Sequence, residues 1–101
     1  MTLTPGIGLA KMDGSETPTG TAFHSPEGVA VDRAGFLYVV DRLNKRVLRY
    51  NQNGTYIQDV NVENNADQLP LANPIAVAVD DSLAYVVDKD RGQVIRYKRR
   101  P

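Results

Sequence analysis

The sequence predicts an all-β protein made of a repeated antiparallel unit of four short strands. Three observations carry that prediction. The stretch 25–50, SPEGVAVDRAGFLYVVDRLNKRVLRY, returns at 73–97 as NPIAVAVDDSLAYVVDKDRGQVIRY. The apolar runs inside each copy are short, rich in Val and Tyr, and bounded by turn-forming Gly, Asn and Asp. No stretch shows the apolar stripe of helical period that an amphipathic helix needs.

The two copies align residue by residue. Pro26 and Asp32 match Pro74 and Asp80 at an offset of 48. One residue is lost in the first hairpin of the second copy. Tyr38, Asp41, Val47, Arg49 and Tyr50 then match Tyr85, Asp88, Val94, Arg96 and Tyr97 at an offset of 47.

Taken in order, residues 6–12 form a weak strand candidate. Residues 13–22 (DGSETPTGTA) are polar and turn-forming, and are expected to be loop. Strands follow at 27–32 (EGVAVD), 36–41 (FLYVVD) and 46–50 (RVLRY). The NQNG at 51–54 is a hairpin-type turn that leads into a fourth strand at 55–60 (TYIQDV). Tight connections make this a meander. The second copy starts at Leu71 and holds three strands, ending near Lys98. The chain is thus expected to be a single unit, 1–101, with one four-stranded module at 23–60 and a three-stranded one at 71–98.

A period near 48 residues with strand content only is the spacing of β-propeller blades. The side chains agree. In LYVVD, Leu37 and Val39 face one way and Tyr38 and Val40 the other, and both sets are apolar. A sheet with one wet face alternates, whereas a sheet buried on both faces does not. A blade sandwiched between two neighbours is of the second kind. The third run, with Arg49 and Arg96 mixed in, is expected to loosen with distance from the central axis.

At these residues the sequence resembles the NHL repeat family of β-propellers. The first copy carries Phe23-x-x-Pro26, Gly28-Val-Ala-Val-Asp32, Leu37-Tyr-Val-Val-Asp41 and Asn44-x-Arg46-Val47. The second keeps Leu71-x-x-Pro74, Val77-Ala-Val-Asp80 and Tyr85-Val-Val-Asp88. It departs at Ala76, Arg91 and Gln93, where the first has Gly28, Asn44 and Arg46. The resemblance implies closed rings, most often of six blades, that serve mainly as interaction surfaces. It also brings in related six-bladed hydrolases and lyases. A metal in the channel would be their counterpart here, with Asp41, Asp88 or Asp90 as first ligands to test.

Two blades are too few to close a ring, which takes four to eight. An isolated pair would expose two large apolar sheet faces, a signal of association. The expected partner is therefore the chain itself: two copies give four blades, three give six and four give eight. A homotrimer of six blades is the favoured closure, with a fragment of a longer propeller, natural or engineered, as the alternative. The second blade lacks its fourth strand, and residues 6–12 sit where the fourth strand of a preceding blade would sit. They are expected to complete the second blade of a neighbouring copy by strand exchange and cover its bare edge.

Composition narrows the function classes. The 12 basic and 12 acidic residues cancel, which argues against nucleic acid as a ligand. There is no cysteine, and thiolate chemistry is excluded. No stretch approaches the length of a membrane span. The N-terminal MTLTPGIGLAKMDG lacks a basic n-region and an apolar h-region, which sets a cytoplasmic expectation.

No catalytic, cofactor-binding or metal-ligating set stands out. His24 is the sole histidine and lacks a nucleophile motif to serve, so it reads as a loop residue. Asp88-x-Asp90-x-Gly92 resembles the start of a calcium loop, but Arg99 holds the closing glutamate's position and helices are missing. It reads as a hairpin turn. Asp41 and Asp88 end equivalent strands, which points to a structural bond of the Asx kind. Gly6-Ile7-Gly8 lacks the third glycine and the strand–helix context of a dinucleotide loop. Asn53-Gly54-Thr55 matches a glycosylation sequon, which matters only outside the cell. Charge is more suggestive. In a meander the second and fourth connections share one end, and that end gathers Arg42, Asn44, Lys45, Lys89 and Arg91 beside Glu27 and Asp90. This set is the candidate surface for a protein or acidic partner. The leading function is a non-enzymatic scaffold that binds through one ring face or the channel.

Overall fold

The computed structural model describes residues 11–60, 71–81 and 83–98. Strands β1 (Pro26–Val31), β2 (Leu37–Asp41), β3 (Arg46–Tyr50) and β4 (Tyr56–Asp59) form a four-stranded sheet in sequential order. Strands β5 (Pro74–Val79), β6 (Leu83–Asp88) and β7 (Gln93–Lys98) form a three-stranded one. Every pairing is antiparallel. The two sheets match the two sequence copies, down to a register shift near the start of each first hairpin, at Pro26/Gly28 and Pro74/Ala76.

Local chemistry fixes the hairpins. The Asp32 carboxylate accepts the N–H groups of Ala34 and Phe36, each at 3.0 Å, and closes the β1–β2 turn. Asp80 accepts the Leu83 N–H at 2.8 Å in the second sheet. The phenols of Tyr38 and Tyr85 donate to these same carboxylates, at 3.1 and 2.9 Å. Between β3 and β4, Asn51 Oδ1 accepts from Asn53 and Thr55, the Asx-turn pattern that the NQNG signal anticipates.

Each sheet has two apolar faces. The upstream face of the first carries Val39, Leu48 and Tyr50, with Val29 and Val31 on β1. Its downstream face carries Tyr38, Val40 and Val47. Because β5 lies across β1, β2 and β3, the downstream face of the first sheet packs on the upstream face of the second. Tyr38, Val40 and Val47 join Ala84, Val86 and Tyr97 in one core, sealed by Val60 and Leu71. On the other side Met12 and Phe23 cover Val39, Leu48 and Tyr50. Two sheets stacked face to face along the repeat are consecutive propeller-type blades.

The third strand departs from the expectation of loosening. All five residues of β3 are buried, including Arg46 at 7% and Arg49 at 2% exposure. The reason is that β3 is roofed on both faces, by β5 and by the segment around Met12 and Phe23. The Arg49 guanidinium lies 4.0 Å over the Phe36 ring and donates to Gln58 Oε1 at 3.2 Å. The counterpart β7 does loosen, with Gln93, Val94, Arg96 and Lys98 exposed.

Residues 13–22 lack strand structure, as expected of a loop, but they are not a free one. Tyr50 donates to Glu16 Oε1 at 2.9 Å, and Arg46 donates to the Thr21 carbonyl at 2.7 Å. Of the stretch 6–12 assigned to strand exchange, residues 6–10 lie outside the described residues.

Candidate functional site

The β2–β3 and β6–β7 turns and the lead-ins to β1 and β5 meet at one end of the stack. Asp41 and Asp88 organise this end. The buried Asp41 carboxylate accepts the backbone N–H groups of His24 at 2.9 Å and Ser25 at 3.1 Å. It also accepts Asn44 Nδ2 at 2.8 Å and Arg46 Nε at 2.9 Å. Asp88 accepts Ala72 N–H at 2.8 Å and Asn73 N–H at 3.0 Å, and lies 3.3 Å from Arg91 Nε. The expected structural role is therefore met: Asn44 bonds Asp41, and Arg91 bonds Asp88, from inside the turn that follows. Each aspartate ties the end of a second strand to the chain entering the first.

Three substitutions between the copies become intelligible here. The first copy satisfies Asp41 with Asn44 and Arg46. The second has Arg91 and Gln93 at those positions, so the cation has moved two residues toward the turn and still reaches its aspartate. Among the described residues Lys45 is the only non-glycine one with positive φ (56°), and its counterpart is Gly92, at φ 61°. One turn geometry is thus held by lysine in one copy and glycine in the other.

Both carboxyls sit below the ordinary aspartate range. Burial alone would raise Asp41, but the donors from Asn44, Ser25, His24 and Arg46 outweigh it. Burial likewise opposes ionisation of Asp88, and the backbone donors with Arg91 outweigh it. Tyr50 is displaced the opposite way: burial and its bond to Glu16 push the phenol well above its ordinary value.

The five predicted partner-binding residues do come together, in unequal roles. Asn44 and Arg91 are tied into the aspartate scaffold, and Asn44 also donates to the Ala22 carbonyl at 3.0 Å. Arg42 is half-buried, with Nε 3.4 Å from Glu27 Oε1. Lys45 and Lys89 are exposed. Asn73 stitches the two turns: its Oδ1 faces Arg42 Nη1 at 3.5 Å, its Nδ2 donates to Asp90 at 3.1 Å, and its carbonyl accepts the Lys89 N–H at 3.0 Å. His24 is exposed and contributes its backbone N–H. Sequence reasoning missed Asn73, and it missed the Asp32–Tyr38 and Asp80–Tyr85 pairs at the opposite end. The signal for those pairs was present in both copies, as an aspartate five or six residues before a tyrosine.

Residues 23–50, which hold β1, β2 and β3, match the family model of the NHL repeat. No curated protein matches the chain at a significant level. The β5–β7 sheet repeats the strand order, the turn geometry and the anchoring aspartate of the matched segment. An NHL repeat followed by its structural copy is the pattern of a propeller-type interaction scaffold.

Proposed function

We propose that this chain is a non-enzymatic NHL-repeat scaffold whose copies associate into a closed propeller, six blades as a trimer, and present the aspartate-anchored turn end to a partner. One observation carries this reading. The two sheets stack as consecutive blades, and the outermost face at each end of the stack keeps apolar residues in water: Val29 and Val31 at one end, 60% and 62% exposed, and Val94 at the other, 61% exposed. Blades whose faces are apolar on both sides need neighbours on both sides.

The turn end supplies the partner surface. Its backbone is held by buried carboxylates, so Arg42, Lys45 and Lys89 stand on a fixed platform, and a ring repeats them around one face. That arrangement suits an acidic peptide segment. Native mass spectrometry of the full chain tests the assembly. A mass of three chains is expected, and a monomer at micromolar concentration would overturn it. Titration with a polyglutamate peptide tests the surface. Lys45→Gln with Lys89→Gln should weaken binding at least fivefold, and unchanged binding would remove these residues from the site.

A further inference from the structure

The internal junction specifies what each open face receives. In that junction Tyr38, Val40 and Val47 of one sheet meet Ala84, Val86 and Tyr97 of the next, with Val60 and Leu71 sealing the core. Carried back one repeat, the receiving residues become Leu37, Val39 and Tyr50, and the sealing residues become Met12 and Phe23. All five occur together on the upstream face of the first sheet. Among the described residues no second sheet inserts into that cluster, and the counterparts of the inserting residues are Tyr85, Val87 and Val94. Those three share one face of the second sheet with Ala76, Ala78 and Arg96, through the pairings Tyr85↔Ala78, Val87↔Ala76, Tyr85↔Arg96 and Val87↔Val94.

The burial differences trace the missing contact. Tyr38, Val40 and Val47 are each 0% exposed, whereas Val94 is 61% exposed. Val29 and Val31 are 60% and 62% exposed, whereas their counterparts Val77 and Val79 pack against the core. An open cleft lined by Met12, Val31 and Leu37 lies on the same upstream face. Charge follows the same rule. Arg33 bonds Asp81 at 3.3 Å across the internal junction, and these two residues are each other's repeat counterparts. Stacking a second copy in the same way places Asp81 of one chain beside Arg33 of the next, again opposite in sign. Had both positions carried the same charge, every junction would repel.

We infer that the occupant of each open face is a second copy of this chain, docked head to tail, with Tyr85, Val87 and Val94 of one copy seated on Val29, Val31 and Leu37 of the next. The contact is heterologous: two different faces meet, and neither meets itself. This rests on the proposed association of copies and adds its mode, so the test separates the two.

Two variants of the full chain, Val29→Asp and Val94→Asp, each place a carboxylate in one face only. Both sites are exposed, so each variant should keep the wild-type denaturation midpoint in dilute solution. Burying that charge at the junction should weaken association at least a hundredfold. Native mass spectrometry should then find each variant monomeric by itself. Their equimolar mixture should give a species of two chains and nothing larger, because one intact downstream face meets one intact upstream face. Self-association of either variant at the wild-type concentration overturns the head-to-tail mode, as does a mixture that stays monomeric while wild type assembles. Monomeric wild type overturns the association itself.

Discussion

Val47 and Val94 hold the same place in two copies of one repeat, yet the first is fully buried and the second is 61% exposed. The same contrast runs through β3 and β7. Arg49 is stacked on Phe36 and bonded to Gln58, while its counterpart Arg96 is exposed. The strands have the same order and register, and much the same sequence. What differs is the neighbour. Among the described residues, a sheet lies on the downstream face of the first copy and none lies on that of the second. Burial in this molecule is thus a property of the junction more than of the residue. A sequence that is apolar on both faces states a requirement that one chain meets only in part.

The largest separation between the two copies should come from their anchoring aspartates. Asp41→Ala removes the acceptor of two backbone N–H groups and two side chains, and leaves the nearly buried Arg46 without its carboxylate. It should cost about 3–5 kcal/mol. Asp88→Ala strands the backbone donors of Ala72, Asn73 and Arg91 and an arginine side chain that is 31% exposed and can turn to water, so about 2 kcal/mol is expected. Urea midpoints of the two variants measure the difference, and equal losses would contradict it.

The same groups set an acid limit. Both carboxyls are depressed in the fold, so their contribution is complete above the ordinary aspartate value of 3.8 and fades as pH falls through the folded value. Wild-type stability should hold from pH 7 to about 5 and decline below about 4. Asp41→Asn should flatten that decline.

The next contrast is Val47→Ala against Val94→Ala. In dilute, dissociated protein the first should cost roughly 2 kcal/mol and the second under about 0.5 kcal/mol. At concentrations where copies associate, the Val94 variant should lose assembly while keeping its fold. A Val94→Ala chain that assembled like wild type would remove this residue from the junction.

The smallest effect belongs to the left-handed turn position. Lys45→Gly relieves a strained φ and should stabilise by about 0.5–1 kcal/mol, while Gly92→Lys should cost a similar amount. Thermal melts of both variants check the pair. A destabilised Lys45→Gly would show that the lysine side chain contributes more than its backbone costs.

Much of this was legible in the sequence because it is written twice. Repetition at 48 and then 47 residues exposed the hairpins, the deletion in the second copy and the equivalence of Asp41 with Asp88. The gathering of Arg42, Asn44, Lys45, Lys89 and Arg91 at one end followed from meander topology. Their unequal roles did not. Whether Asn44 reaches solvent or Asp41 depends on where the lead-in at Ala22 lies, and no local pattern encodes that. The exchange of Asn44 and Arg46 for Arg91 and Gln93 looked like divergence. In three dimensions it is one cation approaching the same carboxylate from another turn position.

By itself, the sequence determined the seven described strands, their order, the turn chemistry and the presence of two apolar faces per sheet. These depend on neighbours a few residues apart, whose alternation and capping groups are visible in one dimension. Only the tertiary structure decided which of those faces is covered, because covering a face requires a surface some 48 residues away to arrive in register. It also decided that β3 is sealed, that Asn73 joins the two turns, and that Arg33 meets Asp81. Long-range packing selects among contacts that local sequence leaves equally open, and among the described residues it leaves Val29 and Val31 exposed at one end of the stack and Val94 at the other.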